Sequence, residues 1–254
     1  MEIHFLGVGE ACDGSQSNTS ILLRTGPEQT AGRILLDCGF SVPQQYFALD
    51  PDPEELAILW ISHFHGDHFF GTPLLLLWFW EMGRQKPLHI LGPSGLETRI
   101  IQAIELAYPN LLSRLGFSLL FLEIEPEKQE RISDTVWQAA YNEHSLPCLS
   151  LRLELHGKTI FYSGDGRPTP MTQALADGCD IIIHEAYGFE DTTPGHGSIG
   201  SCLDFAGKAG VTQIALVHMQ RNIRLHSKTA IKDLAGKYAE IKILLPEKGS
   251  KIVL

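Results

Sequence analysis

Six residues, His63-Phe64-His65-Gly66-Asp67-His68, put three imidazoles and a carboxylate into one loop directly after the apolar run Ala57-Ile58-Leu59-Trp60-Ile61. A short apolar run bounded by such a loop reads as a buried strand. One strand end therefore delivers four potential metal ligands. His63 and His65 stand two apart in an extended segment, which aims both side chains the same way. Asp67 and His68 follow a glycine, where a helix can begin, and face a second ion out of reach of the first pair. Neutral imidazole with carboxylate suits zinc, with manganese and iron also compatible. A loop of unrelated surface histidines would not combine this strand, this spacing and these glycines.

The rest of the chain supplies further candidates at strand ends. Strands are expected at Ile3 to Leu6, Ser20 to Arg24, Arg33 to Asp37, Leu88 to Leu91, Phe117 to Ile124 and Thr135 to Tyr141, the last running into Asn142-Glu143-His144. A hairpin, Leu149 to Leu155 and Lys158 to Tyr162, turns at His156-Gly157 and leads into Ser163-Gly164-Asp165-Gly166. A carboxylate between glycines can approach two ions without steric cost from its neighbours. Asp180 to Ile183 ends in His184-Glu185, and Ile214 to Val217 ends at His218. Helices are expected at Thr72 to Gln85, from Ser94 as a capping residue to Ala107, at Ile199 to Ala209 and at Lys228 to Tyr238, with a closing strand at Ile241 to Leu245. Asp37 reads as a supporting carboxylate. Strands in two groups, with helices between and after them, imply an α/β (α+β) fold, a four-layer αββα sandwich with the candidate ligands at one edge.

With 254 residues and 44% hydrophobic content, the chain can bury its core as one domain spanning 1–254. A net charge of −10 argues against broad electrostatic wrapping of nucleic acid. The five cysteines are odd in number, scattered and without a CxxC pair, so they read as reduced thiols in a cytoplasmic protein. An acid at position 2 and an immediate strand lack signal-peptide design. The most apolar run, Leu74 to Trp80, is short of the ~18 residues a spanning helix needs, so no membrane role is expected. That helix is apolar on nearly every face and must be covered by the core or by a partner, which makes a homodimer contact an expectation.

The metal loop, extended as Ser62-His-Phe-His-Gly-Asp-His-Phe-Phe-Gly71, resembles the HxHxDH signature of the metallo-β-lactamase superfamily, and most of all its ribonuclease Z-like branch. The resemblance runs from Gly7 to His218. It implies the same αββα sandwich, with His63, His65 and His144 on one metal, Asp67, His68 and His218 on the second, and Asp165 bridging. It also implies a subunit interface at the Thr72 helix. A shared water, its pKa lowered by two cations about 3.5–4 Å apart, would be the nucleophile of a phosphodiesterase. Asp67 would also orient it. By the same resemblance His196, in a Pro-Gly-His-Gly loop, is the general acid and Glu185 orients it.

Only the hairpin separates His144 from Asp165, so the long arm with which ribonuclease Z-like enzymes grip tRNA is absent. The expected substrate is a phosphodiester, a small molecule or single-stranded RNA, and not a whole tRNA. Arg221, Arg224 and Lys228 follow His218 and could dock phosphate or form a surface charge cluster. Two other readings stay open: another hydrolase of this fold, a lactonase or thioesterase, and a non-catalytic metal-binding accessory protein.

Overall fold

A computed structural model describes residues 1–24 and 32–254, apart from the side chains at 227, 228, 230, 232, 233 and 235. The Lys228 side chain therefore lies outside the described residues. In chain order the elements are β1 (Glu2–Gly7), β2 (Ser20–Arg24), β3 (Arg33–Leu36), α1 (Val42–Phe47), β4 (Leu56–Trp60), α2 (Gly66–Phe69), α3 (Thr72–Glu81), β5 (Leu88–Gly92), α4 (Leu96–Ala107), β6 (Leu119–Glu123), β7 (Gln129–Ile132), β8 (Thr135–Tyr141), β9 (Leu149–Leu155), β10 (Lys158–Tyr162), α5 (Pro170–Ala176), β11 (Ile181–Glu185), α6 (Ile199–Lys208), β12 (Gln213–Val217), α7 (Arg221–Ala235), β13 (Lys242–Leu244) and β14 (Lys251–Val253).

They form two seven-stranded sheets, ordered β14-β1-β2-β3-β4-β5-β6 and β13-β12-β11-β10-β9-β8-β7. Each is antiparallel on one side and parallel on the other. Period-two alternation sorts the side chains into layers. Ile21, Leu23, Ile58 and Trp60 face inward and meet Trp137, Leu151, Leu153, Ile183 and Val217 of the other sheet. Trp60 stacks on Trp137 across the gap, centroids 5.9 Å apart. The alternate residues Leu22, Leu35, Leu59 and Ile61 face outward under α1, α3 and α4. On the opposite side Ile182, Ile214 and Leu216 lie under α6 and α7. Three apolar layers between four structural layers make this the expected αββα sandwich.

Several boundaries move for local reasons. The α3 helix stops at Glu81 because Gly83 turns left-handed (φ 74°). The α4 helix starts beside Gly95, itself left-handed at φ 84°, with no side-chain cap, so Ser94 does not cap it. The last helix begins at Arg221, where the Gln220 side chain accepts from the amides of Asn222 and Ile223. The elements α1, α5, β7 and β14 had no sequence expectation. The inner face of α3, Leu75, Leu76 and Phe79, is buried, and Leu77, Trp78 and Trp80 pack partly covered against the same core. Among the described residues, no helix is long and apolar enough to cross a membrane.

Candidate metal centre

Five strands end at one edge. The loop after β4 brings His63, His65, Asp67 and His68; β8 leads to His144, β10 to Asp165, β11 ends in Glu185 and β12 leads to His218. Asp67 and His68 occupy the one-turn helix α2, which begins right after His65 in extended conformation (φ −73°, ψ 146°). That change of conformation is what turns the second pair of ligands away from the first.

The ligand atoms gather into three groups, each within 4.8 Å: His63, His65, His144 and Asp165; Asp67, His68 and His218; and Asp165, His196 and His218. In the first, His63 Nε2 and His144 Nε2 stand 3.0 and 3.1 Å from His65 Nδ1. Nitrogens bound tetrahedrally to zinc at about 2.0–2.1 Å would sit roughly 3.3 Å apart, close to this spacing. In the second, Asp67 Oδ2 lies 3.4 Å from His68 Nε2 and 3.2 Å from His218 Nε2. Asp165 joins the two, with Oδ2 3.9 Å from His63 Nε2 and Oδ1 3.4 Å from His68 Nε2 and 3.6 Å from His218 Nδ1. Three of these atoms, His68 Nε2, Asp165 Oδ1 and His218 Nδ1, are buried without a hydrogen-bond partner. Buried polar atoms are nearly always satisfied, so three converging orphans fit a place for a cation.

Some backbone strain falls at the centre. His218 (φ 52°) and Asp37 (φ 60°) are left-handed without being glycine. Gly166 (φ 119°) could not carry a side chain, since an added Cβ would meet Asn142 Cβ at 2.7 Å.

Hydrogen bonds behind the centre fix which nitrogen is bare in three of the rings. The His144 Nδ1–H donates to Gly195 O at 2.7 Å, which leaves Nε2 as a lone pair. The His68 Nδ1–H donates to Asp37 Oδ2 at 2.8 Å, with the same result. Ser62 Oγ donates its one proton to Asp37 Oδ2 (2.8 Å) and so accepts from His63 Nδ1–H (3.0 Å). Asp37 further accepts from Tyr162 OH and from the Ser62 amide, both at 2.7 Å. This fully buried carboxylate thus supports a ligand in each cluster, His68 directly and His63 through Ser62. Cys148 Sγ, also buried, accepts from the Asp165 amide at 3.2 Å and lies 3.6 Å from His63 Nδ1.

The electrostatics follow from burial against charge. Burial pushes the Asp165 carboxyl up, but His218, His68 and His63 outweigh it and hold the pKa well below the ordinary range. Asp67 is likewise driven down by His218 and His68 against its own burial. Burial, and then the charge of His68, keep His63 well below the usual imidazole value. The carboxylates in turn raise His68 and His218 against their burial, so the site pairs ionised carboxylates and a neutral His63 with two imidazoles whose protons a bound cation would displace.

Glu185, fully buried, accepts at Oε1 from the amides of Gly166 and Gly197, both 2.9 Å, and faces His196 Nδ1 at 3.2 Å. Its Oε2 accepts from the Tyr187 amide at 2.9 Å. Burial opposes a charge on His196, yet the Glu185 bond and charge prevail and raise its pKa. The Tyr187 ring packs over His196 with centroids 4.6 Å apart. His184 points into the packing instead: its Nδ1–H donates to Glu185 O at 2.7 Å and its ring stacks on Phe161. His4, His89, His156 and His226 join none of the ligand groups among the described residues. Arg221 is paired with Glu10 at 2.8 Å and the Arg224 guanidinium donates to Pro246 O. Both line a cavity of about 430 Å³ that also holds Asp13 and Glu247.

The roles of Ser62, Tyr162 and Cys148 had no sequence signal beyond their adjacency to ligands.

Two stacked mixed sheets, flanked by helices and carrying this ligand edge, define a protein of the metallo-β-lactamase fold. The fold is shared with the short form of human tRNase Z (TM-score 0.77, 22% identity, 100% of this chain and 99% of that one). It is shared as well with the metallo-β-lactamase-fold protein YhfI of Bacillus subtilis (TM-score 0.78, 18% identity, 99% of each). In sequence the chain is 25% identical over 274 aligned positions to the ribonuclease Z of Shouchella clausii, covering 86% of both. Within that class the chain belongs to the family described as anti-Pycsar protein Apyc1, which it matches over residues 1–235.

Proposed function

We propose that the chain is a hydrolase of phosphoester bonds that works with two divalent cations, zinc foremost, and cleaves a phosphodiester. The observation that carries this is the pair of ligand clusters joined by Asp165, whose orphaned Oδ1 lies 3.4 Å from His68 Nε2 and 3.6 Å from His218 Nδ1, both orphaned as well. The ribonuclease Z relatives support the same bond type. His63, His65 and His144 would hold one cation, Asp67, His68 and His218 the other, and Asp165 both. When bound, the cations would lower the pKa of a water and neutralise charge on the phosphoryl oxygens.

The chain's own residues do the rest. Asp67 Oδ2, between His68 and His218, can accept a hydrogen bond from the attacking water and so orient it. As the phosphorus–oxygen bond to the alcohol breaks, the departing oxygen takes a proton from His196. Its Nδ1 is occupied by Glu185, so Nε2 is the ring atom left to give it. The raised pKa favours the protonated ring for that task.

A small phosphodiester or a single-stranded RNA suits the site better than a whole tRNA. The chain between His144 and Asp165 is taken up by β9 and β10, which turn at His156-Gly157 and leave no length for an arm. A homodimer in the cytoplasm, joined through the Thr72 helix, completes the reading. The testing experiment is turnover of bis(p-nitrophenyl) phosphate by zinc-loaded protein beside a lactone and a thioester panel. Hydrolysis of the phosphodiester alone is expected, and preference for either other class would overturn the assignment.

A further inference from the structure

Arg167 follows the shared ligand Asp165 by two residues and is partly buried. Its backbone pairs with Glu143, next to the ligand His144, through Arg167 N–H to Glu143 O (3.0 Å) and Glu143 N–H to Arg167 O (3.1 Å). Its guanidinium reaches the other way, into the loop that carries His196. Nε donates to His196 O at 2.9 Å, and Nη2 donates to Thr193 O at 2.9 Å and Asp191 O at 3.0 Å. Three carbonyls of one loop converge on one planar fork.

That loop needs an anchor. It is pinched at its neck, where Gly188 N–H donates to Gly197 O (3.3 Å) and Ile199 N–H to Gly188 O (2.9 Å). Between the neck strands, Phe189, Glu190, Asp191 and Thr192 are exposed, so packing contributes little to their order. Glu185 holds the ring of His196 and the Gly197 amide beside it, and the backbone is held further by two anchors, Arg167 at His196 O and His144 at Gly195 O. Both anchors belong to the ligand-bearing segments. The acid loop is thus referenced to the metal centre and not to the surrounding surface.

We infer that Arg167 is a positioning residue for the general acid: its fork holds the His196 loop in register with the Asp165 and His144 segments. This rests on the phosphodiesterase reading. A lysine cannot replace it fully, because an ammonium is a point donor on a shorter reach and cannot span three carbonyls.

The consequence is specific to the leaving group. General-acid assistance is worth about 10²–10⁴-fold where the departing alcohol is a poor leaving group, and little where it leaves as a stabilised phenolate. Arg167→Met in zinc-loaded protein should lower kcat on a dinucleoside monophosphate by roughly 10–100-fold, while bis(p-nitrophenyl) phosphate loses less than about threefold. Arg167→Lys should recover part of the loss. Adding R167M to His196→Ala should cost little more on the dinucleotide, since both act on one step. Amide hydrogen exchange across 189–197 should quicken in R167M and stay unchanged across the ligand-bearing strands. Equal losses on both substrates would mean that Arg167 acts on the metals or on the fold, and would overturn the inference. So would additive losses with H196A. If the wild type cleaves neither phosphodiester, it is the phosphodiesterase reading that fails. Exchange then decides the anchor alone, and unchanged rates across 189–197 in R167M would refute it.

Discussion

Replacing Asp37 by asparagine tests how the two halves of the centre are held. The carboxylate accepts from the Ser62 amide at Oδ1, and from Ser62 Oγ, His68 Nδ1 and Tyr162 OH at Oδ2. An asparagine can present one oxygen. In its better orientation the oxygen keeps the three donors at Oδ2 and the amide nitrogen meets the Ser62 N–H donor to donor. Two buried donors, the Ser62 N–H and the asparagine's own amide nitrogen, are then unsatisfied, at about 1–3 kcal/mol each, and three charge-assisted bonds become neutral ones, at about 1 kcal/mol each. The sum, about 5–9 kcal/mol, is a large share of the ~5–15 kcal/mol that usually holds a domain together.

Loss of an outer partner of a metal-bound histidine typically weakens metal affinity by about 10–100-fold. Asp37→Asn should therefore weaken both sites in a zinc titration against a chromophoric chelator, with urea unfolding read in parallel. Ser62→Ala separates the two paths should D37N fail to fold, because it cuts only the link to His63. It should weaken the His63, His65 and His144 site and spare that of Asp67, His68 and His218. Two wild-type affinities in D37N, or equal weakening of both sites in S62A, would refute the relay.

Other outcomes follow from the same geometry. Because the protonated form of His196 is the active one and its pKa is raised, turnover should fall as pH rises through that pKa. Glu185→Gln removes the charge that raises it, so the alkaline limb of the pH–rate profile should move to lower pH; an unmoved limb would contradict the pairing. Of the five thiols only Cys12 is exposed. Burial pushes Cys179 up to about 11 and Cys38, Cys148 and Cys202 up as well. An aromatic disulfide reagent should thus label one equivalent quickly and four only on unfolding. Light scattering over a wide concentration range should give the mass of two chains, and a monomer throughout would remove the dimer.

Much of the centre could be read from the chain because ligands at strand ends leave local marks. The loop from His63 to His68 carries its geometry in its spacing, and Asp165 is announced by the glycines on either side. The layered sandwich was legible in the order of strands and helices, whereas the unbroken apolar run from Ala57 to Ile61 hid that Ile58 and Trp60 enter one layer and Leu59 and Ile61 the other. What stayed hidden depends on contacts distant in sequence. Tyr162 reaches Asp37 across 125 positions, and nothing around either residue signals the other. Arg167 binds carbonyls more than twenty positions away, and carbonyls carry no sequence identity. Short elements were missed for a related reason. The Gln129–Ile132 and Lys251–Val253 strands exist through their pairing with β8 and β1, not through a pattern of their own.

The most direct test of the dinuclear phosphodiesterase is metal content joined to turnover on one preparation. Protein stripped with chelator and titrated with zinc should bind two equivalents and gain bis(p-nitrophenyl) phosphate hydrolysis as they bind. Asp165→Ala should lose tight binding at both sites together. Two tightly bound equivalents with no hydrolysis of any phosphodiester would contradict the account.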